Sequence, residues 1–284
     1  MVGLPAALDR PGLRLTAAEL RALRPPARMQ RQRPASRRPG AIPARVAGQG
    51  MDLREIRAFA EGDDLRRIDP AATARTGQLH VRSFHEDRDD STLLIADFRP
   101  AMLWGTGTAL RSVRAARHLA MLGWRAVGRG GSVGLLVLGA GAALALNPAG
   151  GVAQMQAVAL AMARGHDAAL LGRVAGGADA PALAPALAQA MRMLAPGGRV
   201  HLATGPEGPA GADAALRRLA QSRRFELHLV LDPAETAPPA AALAVSDGSH
   251  SRHGRLSRHD PQPLLAHLRA LGAHSRLVTD DDAG

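Results

Sequence analysis

Residues 91–138 read STLLIADFRPAMLWGTGTALRSVRAARHLAMLGWRAVGRGGSVGLLVL, and this stretch decides the fold. The apolar run from Thr92 to Asp97 predicts a short buried strand, and Val133 to Leu138 predicts a second one. Between them, residues 108–127 carry apolar side chains at helical spacing, which predicts a long amphipathic helix. Its buried stripe is predicted to comprise Leu110, Val113, Ala116, Ala120, Trp124 and Val127, with Arg111, Arg114 and Arg125 lying off it.

Strands and helices keep alternating along the rest of the chain. Further strands are predicted just after 133–138 and at 200–203, 225–231 and 276–279, and further helices at 152–164, 183–194, 212–222 and 263–271. The helix at 152–164 is expected to end at Gly165. This alternation indicates an α/β fold with a doubly wound, mostly parallel sheet flanked by helices on both faces. Binding crevices in such sheets open beyond the carboxyl ends of the strands, here after Asp97 and after Ala203.

Three residue types are missing from the chain. The absence of Cys excludes disulfides, thiolate nucleophiles and Cys-ligated zinc. Lys is also absent, which argues against a Walker A phosphate loop and against Schiff-base chemistry. Tyr is the third, and its loss removes one kind of acid/base catalyst. We identify no set of nucleophile, base and orienting group, and therefore expect no enzymatic activity and no cofactor.

The formal net charge of +11 is concentrated in residues 1–49, an arm rich in Arg and Pro. One helix is predicted at Thr16 to Leu23, with Thr16 as N-cap and Glu19 completing a capping box. The rest of the arm is expected to be extended or disordered. It is either a solvated tail or a patch that contacts acidic lipid, nucleic acid or a partner protein. Without aromatic residues it cannot stack on bases, so specific nucleic-acid binding is not expected.

No secretory signal or transmembrane segment is expected. Pro5, Asp9 and Pro11 interrupt the first residues, and the longest apolar run, residues 133–146, is too short to span a bilayer. The predicted location is the cytoplasm.

A charged box lies within residues 50–75, GMDLREIRAFAEGDDLRRIDPAATAR. Its charged members and turn glycine are Glu61, Gly62, Asp63, Asp64, Arg66, Arg67, Asp69 and Arg75. The carboxylates could form a catalytic cluster. The interpretation we favour is a structural or docking loop braced by Asp–Arg pairs, in which Arg66 and Arg67 keep the acids ionised.

This box, with residues 74–77 and 79–82 and with Asp232-Pro233-Ala234-Glu235, resembles the signature of the domain of unknown function 58 family, which has a von Willebrand factor A-like core. The resemblance covers residues 47–256. One departure is Pro70, where the family usually has Trp. The resemblance implies three regions: the basic arm at 1–49, a box region at 50–90 packed on the core, and the α/β domain at 91–284.

Von Willebrand A-like cores often bind Mg²⁺ through an Asp-x-Ser-x-Ser loop after the first strand. Here the loop reads Asp97-Phe98-Arg99-Pro100-Ala101, so Arg99 and Ala101 replace both hydroxyl residues. A further acidic position of the family aligns with Gly205. Because Mg²⁺ requires several oxygen ligands, we predict a degenerate ion site that holds no metal. Our hypothesis is that Arg99 pairs with Asp97 and replaces the ion.

The resemblance also suggests a function, since members are commonly encoded beside MoxR-type AAA ATPases. It implies a non-enzymatic adaptor that acts with such an ATPase in chaperone-like assembly or envelope-related processes. One alternative is a Mg²⁺-dependent protein-binding module with a weak ion site at Asp97, supported by Thr106 or Thr108. Another is binding of nucleic acid or an acidic lipid surface by residues 1–49.

A third cluster lies in the polar stretch from Ser246 to Asp260. His250, His253 and His259 there could hold a transition metal. The stretch has no strand or helix pattern, so we expect a flexible loop.

Overall fold

The computed structural model describes residues 4–26, 41–60, 63–139, 144–176, 180–246 and 251–278. The strands are β1 (Ala41–Ala58), β2 (His80–Asp89), β3 (Ser91–Asp97), β4 (Ser132–Leu138), β5 (Leu144–Gly150), β6 (Arg199–Thr204), β7 (Arg224–Val230), β8 (Leu243–Ser246), β9 (Ser251–Gly254) and β10 (His274–Val278). The α-helices are α1 (Ala17–Ala22), α2 (Pro70–Thr76), α3 (Arg111–Gly128), α4 (Val152–Val174), α5 (Leu183–Met193), α6 (Asp213–Ser222), α7 (Pro233–Thr236) and α8 (Gln262–Ala270). No helix in these ranges is long and apolar enough to cross a membrane.

A six-stranded sheet forms the centre, in the order β10-β7-β6-β3-β4-β5. All neighbouring strands are parallel except β4 and β5, which pair antiparallel. This confirms the predicted doubly wound, mostly parallel sheet. The strand order reverses between β3 and β6, and such a reversal opens a crevice at the carboxyl ends of the two strands.

Helices cover both faces of the sheet. On one face, Leu94 and Ala96 of β3 and alternate residues of β4, from Val133 to Val137, pack against α1, α3 and α4. On the other face, Leu93 and Ile95 pack with strands β6 and β7 against α5, α6 and α8. Alternate residues of β3 therefore point into two different cores, which explains its uninterrupted apolar sequence.

The start of the chain belongs to the first of these cores. The helix predicted at Thr16 to Leu23 is present as α1, and the side chain of Thr16 accepts the Glu19 backbone N–H. Leu15 and Leu20 are fully buried, and Trp124 Nε1 donates to the Leu20 carbonyl oxygen at 2.9 Å. The tail interpretation is therefore wrong for residues 4–26, because their leucines remove apolar surface from water. Residues 27–40 lie outside the described ranges.

Two further elements differ from the expectation. The helix predicted to end at Gly165 continues to Val174. A Cβ at Gly165 would lie 2.9 Å from Val137 Cγ1, so glycine serves close helix–sheet packing here and does not end the helix. The stretch expected to be a flexible loop contains strand β9, which pairs antiparallel with β8 and carries the exposed His253.

The box region has its own small sheet. Strands β1 and β2 pair antiparallel, and Ile68 forms an isolated bridge to Val81. Between the two strands lie a one-turn 3-10 helix, Leu65–Arg67, and α2. The box is thus the connection of a long two-stranded ladder.

Candidate functional site

The crevice at the reversal point is lined by residues that follow three neighbouring strands. Asp97 ends β3, Thr204 ends β6, and Asp232 follows β7. All three are buried. The parallel arrangement brings these polar side chains to one edge of the sheet, as expected for Asp97 and for the residues after Ala203.

Asp97 is fully occupied by donors from the protein. Its Oδ1 accepts the Arg99 backbone N–H at 3.0 Å and Arg99 Nε at 2.9 Å. Its Oδ2 accepts Arg99 Nη2 at 2.7 Å and Thr204 Oγ1 at 2.5 Å. A carboxylate has about four lone-pair sites, and these four bonds saturate them. The hypothesized Asp97–Arg99 pair is therefore present, as a two-pronged ion pair.

Arg99 is itself held by the surrounding loops. Its Nη2 also donates to the Gly208 carbonyl oxygen at 3.1 Å, and its Nη1 donates to the Pro181 carbonyl oxygen at 3.3 Å. Burial opposes the charge of the guanidinium, while the bonds to Asp97 favour it, and the net effect raises the pKa of Arg99. The group is therefore a fixed cation beside Asp97.

The guanidinium of Arg111 lies beside Ala101 and Gly205, the two other positions at which this chain departs from the expected ion-site residues. Arg111 Nη1 donates to the Ala101 carbonyl oxygen at 3.2 Å. A Cβ on Gly205 would lie 3.3 Å from this same nitrogen and 3.3 Å from Glu207 Oε2. The lack of a side chain at Gly205 thus leaves room for a second arginine in the crevice.

Arg111 is completely buried, at 0% exposure. Its side chain forms ion pairs with Glu235 and, at 3.5 Å, with Glu207. Its Cζ atom lies 4.3 Å from the centroid of the Trp104 ring, which adds a cation–π contact. Because a buried charge requires such compensation, Arg111 is a structural centre of the crevice.

The placement of Arg111 and Arg114 corrects the predicted helix surface. Both were expected off the buried stripe, yet both are buried, and Arg114 Nη1 donates to the Leu231 carbonyl oxygen. The reason is that α3 begins inside the crevice, where the loops after β3, β6 and β7 cover its first turn. Arg125, near the far end of the helix, is exposed as predicted.

The Asp232-Pro233-Ala234-Glu235 segment has a clear local role. The Asp232 side chain caps the N-terminus of α7, and Glu235 Oε2 accepts the Asp232 backbone N–H at 2.7 Å. The two interactions form a capping box. Asp232 also accepts the Thr106 backbone N–H at 2.8 Å and bonds the Thr106 hydroxyl. Thr106 is thus engaged by Asp232, and Thr108 is exposed.

In the charged box, Asp63 and Asp69 are paired with Arg57 and Arg82 of the flanking strands, which corrects the expectation that Arg66 and Arg67 would be their partners. Arg57 binds Asp63 with both terminal nitrogens, at 2.6 and 2.8 Å. Arg82 Nε binds Asp69 at 2.7 Å, and Asp69 also caps α2 through the Ala72 backbone N–H at 2.8 Å. The hydrogen bonds from Arg57 lower the pKa of Asp63. The pKa of Asp69 is lowered mainly by the Ala72 backbone N–H and, to a smaller extent, by Arg82.

The remaining box residues have various positions. Asp64 accepts the Arg66 backbone N–H at 3.0 Å and caps the 3-10 helix, which Arg67 ends. The side chains of Arg66 and Arg75 are exposed. Glu61 and Gly62 lie outside the described residues.

Exposed apolar side chains accompany these charges. Ile56, Leu65 and Leu79 are 42%, 63% and 47% exposed, and all three belong to the box region. These side chains are available for contact with another molecule, and arginine is enriched in protein–protein interfaces. We call Ile56, Leu65, Arg66, Arg75 and Leu79 the box surface.

The comparisons with known proteins agree with this arrangement. The family model described as "Protein of unknown function DUF58" matches residues 55–262, which include the box surface and the crevice. This chain belongs to the DUF58 family. The uncharacterized proteins Rv1480 of Mycobacterium tuberculosis and Mb1516 of Mycobacterium bovis are each 29% identical to it over 234 residues, which cover 81% of this chain and 70% of each relative.

Two solved structures resemble this DUF58 protein. The conserved hypothetical protein BatB from Bacteroides thetaiotaomicron has 15% sequence identity and a TM-score of 0.45, covering 68% of this chain and 93% of its own. The SpRpn10 VWA domain has 12% identity and a TM-score of 0.35, covering 67% and 89%. The doubly wound sheet itself, rather than these scores, carries the fold assignment.

Several residues of the crevice were not among the candidate site residues predicted from the sequence. They are Thr204, Glu207, Arg111, Arg114, Asp232, Glu235 and Trp104. The resemblance of residues 232–235 to a family motif was the signal that could have indicated Asp232 and Glu235. Nothing in the periodicity of α3 distinguishes a surface arginine from one covered by loops.

Proposed function

We propose that this protein is a non-enzymatic adaptor whose ion site has been replaced by arginine. The observation that supports this most directly is the saturation of Asp97 by Arg99 and Thr204. A Mg²⁺ ion at Asp97 would have to displace a fixed guanidinium, whereas it favours near-octahedral oxygen ligation. The pairing of Arg111 with Glu207 and Glu235 likewise leaves these acids engaged as counterions.

Titration calorimetry with MgCl₂ tests the replaced ion site. We expect the wild-type chain to take up no Mg²⁺ with a dissociation constant in the micromolar range. The alternative module, with a weak ion site at Asp97, requires partner binding to depend on Mg²⁺. Uptake of one Mg²⁺ per chain that is lost in Asp97→Asn would contradict the proposal.

The proposed partner is a MoxR-type AAA ATPase in the cytoplasm, in chaperone-like assembly or an envelope-related process. This part of the proposal rests on the family, and the box surface is the contact region that we assign to it. Leu65 is 63% exposed beside the exposed Arg66, so it offers apolar area without contributing to a core. Such a residue is suited to become buried only when a partner binds.

A pull-down with the purified MoxR-type ATPase of the same cell tests this contact. The variant Leu65→Ser/Arg66→Glu should lose binding, since it removes the apolar contact and reverses a charge at the interface. Val174→Ser is the matched control, because Val174 is equally exposed, at 62%, but lies at the end of α4. Binding that persists in the double variant, or that is lost equally in the control, would exclude the box surface.

A further inference from the structure

Three histidines from distant parts of the sequence form a chain of contacts on the α3 face of the sheet. His118 lies on α3, His201 on β6 and His228 on β7. His118 Nε2 is 3.1 Å from His228 Nδ1, and His228 Nε2 is 3.1 Å from His201 Nδ1. All three imidazoles are buried, with His228 at 0% exposure. Buried polar side chains of this kind are the informative exceptions in a core.

The register of the strands places a carboxylate beside the imidazoles. His201 pairs directly with Glu226 across β6 and β7, and Glu226 and His228 are two residues apart on one strand. Side chains at these positions point to the same face. His201 Nδ1 is 3.7 Å from Glu226 Oε2, and the ligand atoms of all three residues lie within 4.8 Å of one another. In the described part of the chain, this is the one such group of three potential metal ligands.

We propose that His201, His228 and Glu226 form a binding site for a zinc-like transition-metal ion, separate from the crevice at Asp97. In a tetrahedral zinc site with bonds of 2.0–2.1 Å, neighbouring ligand atoms are about 3.4 Å apart. The separations of 3.1 Å from His201 to His228 and 3.7 Å from His201 to Glu226 bracket this value, and the third pair lies within 4.8 Å. Two histidines and one glutamate are also a ligand set that zinc uses when its fourth position stays open.

The surroundings support the same assignment. His228 has two ring nitrogens, and the one that faces away from His201 contacts His118. A ligating histidine characteristically donates its second N–H to an acceptor that orients the ring, and His118 is placed to accept it. The site is also accessible, because the Glu226 side chain is 29% exposed and His118 lines a surface cleft of about 480 Å³ with His274 and Arg276.

The nearby positive charge is partly compensated. Arg129 and Arg199, which act electrostatically on His201, both bind Asp90, at 3.2 and 3.0 Å. Arg276 acts on His228, but its side chain is exposed to solvent, where its charge is screened. The Glu226 carboxylate supplies the negative charge that a divalent ion requires.

The test uses the untagged full chain, stripped with a chelator and titrated with ZnCl₂ or CoCl₂. We expect one ion per chain, visible Co²⁺ absorption bands of tetrahedral ligation, and a higher melting temperature with Zn²⁺, because the ion binds the folded state. Glu226→Gln, at a part-exposed position that should leave the fold intact, and His201→Ala should each abolish the Co²⁺ bands. His118→Ala should weaken the affinity by roughly 10–100-fold, as the loss of an orienting partner does.

His267→Ala is the matched control, since His267 is half exposed and contacts Asp213 elsewhere on the surface. It should bind the ion as wild type does. Absence of uptake by a wild-type chain that circular dichroism shows to be folded would overturn the site. So would uptake that Glu226→Gln leaves unchanged.

Discussion

Two aspartates of this protein are bound by arginine in different surroundings. Arg99 and Asp97 are nearly buried, with 11% and 2% of their side chains exposed, whereas Arg82 is 48% exposed over Asp69. Removing Arg99 leaves Asp97 without water or counterion. The Asp69 side chain is also buried, at 7% exposure, but Arg82 is half exposed, so that water can take its place, and Asp69 keeps the bond from the Ala72 backbone N–H. The two pairs therefore allow a matched experiment.

Arg99→Ala should lower the free energy of unfolding by about 3–5 kcal/mol. Arg82→Ala should lower it by about 1 kcal/mol or less. Urea unfolding of both variants at neutral pH measures the difference. Equal losses would mean that the crevice is wetter than its burial indicates.

His166 gives a residue-level prediction for pH. It is fully buried against Phe98, it contacts Ser112 Oγ at 2.9 Å, and burial lowers its pKa from 6.5 to about 4. Between these values the unfolded chain binds a proton that the folded chain does not, so stability falls as the pH is lowered through this window. The loss attributable to His166 reaches roughly 3 kcal/mol at its lower end.

His166→Gln keeps a hydrogen-bonding group for Ser112 but cannot titrate. Between pH 7 and about pH 4, this variant should therefore lose up to about 3 kcal/mol less stability than wild type. Urea unfolding at several pH values measures the slope. His267→Gln, at a half-exposed position, is the control. If the stability of His166→Gln fell with pH as steeply as that of wild type, His166 would not be the group responsible.

At the scale of elements, helix α1 attaches the N-terminal arm to the central core. The sequence alone presents this arm as basic and polar. Leu20→Ala should lower the free energy of unfolding by about 2–5 kcal/mol, because a fully buried leucine is lost from the packing under α3 and α4. Arg21→Ala, one residue on and exposed, should change it by less than about 0.5 kcal/mol. Thermal unfolding of the two variants separates a docked helix from a solvated one.

The elements of the core were largely predictable, because helix and strand periods are local. The strands at 92–97, 133–138 and 200–203 appear within a residue or two as β3, β4 and β6. Contacts between elements were not predictable in the same way. The Asp97–Arg99 pair could be proposed because the two residues are only two positions apart, whereas the burial of Arg111 depends on loops far away in the chain. His201 and His228 are likewise brought together by the pairing of β6 with β7, and His118 by the packing of α3 on the sheet.

At the scale of the whole molecule, the protection of backbone amides against hydrogen exchange should decrease from the middle of the sheet outward. β3 and β6 are bonded to strands on both sides and covered by helices on both faces, while β10 and β5 lie at the ends of the described strand order. Native-state hydrogen exchange should therefore be slowest at Leu94, Ile95 and Leu202 and faster along β10. Comparable rates in β10 and β3 would indicate that the edge is covered by something beyond the described residues.

The guanidinium in the crevice has a consequence for regulation. A metal ion leaves when its concentration in the surroundings falls, but Arg99 is covalently tethered two residues from the carboxylate that it neutralises. Its effective concentration at Asp97 is constant and does not respond to chelators or to changes in cellular magnesium. The charge at Asp97 is therefore neutralised whatever the supply of divalent cations, and this pair cannot act as a sensor of them.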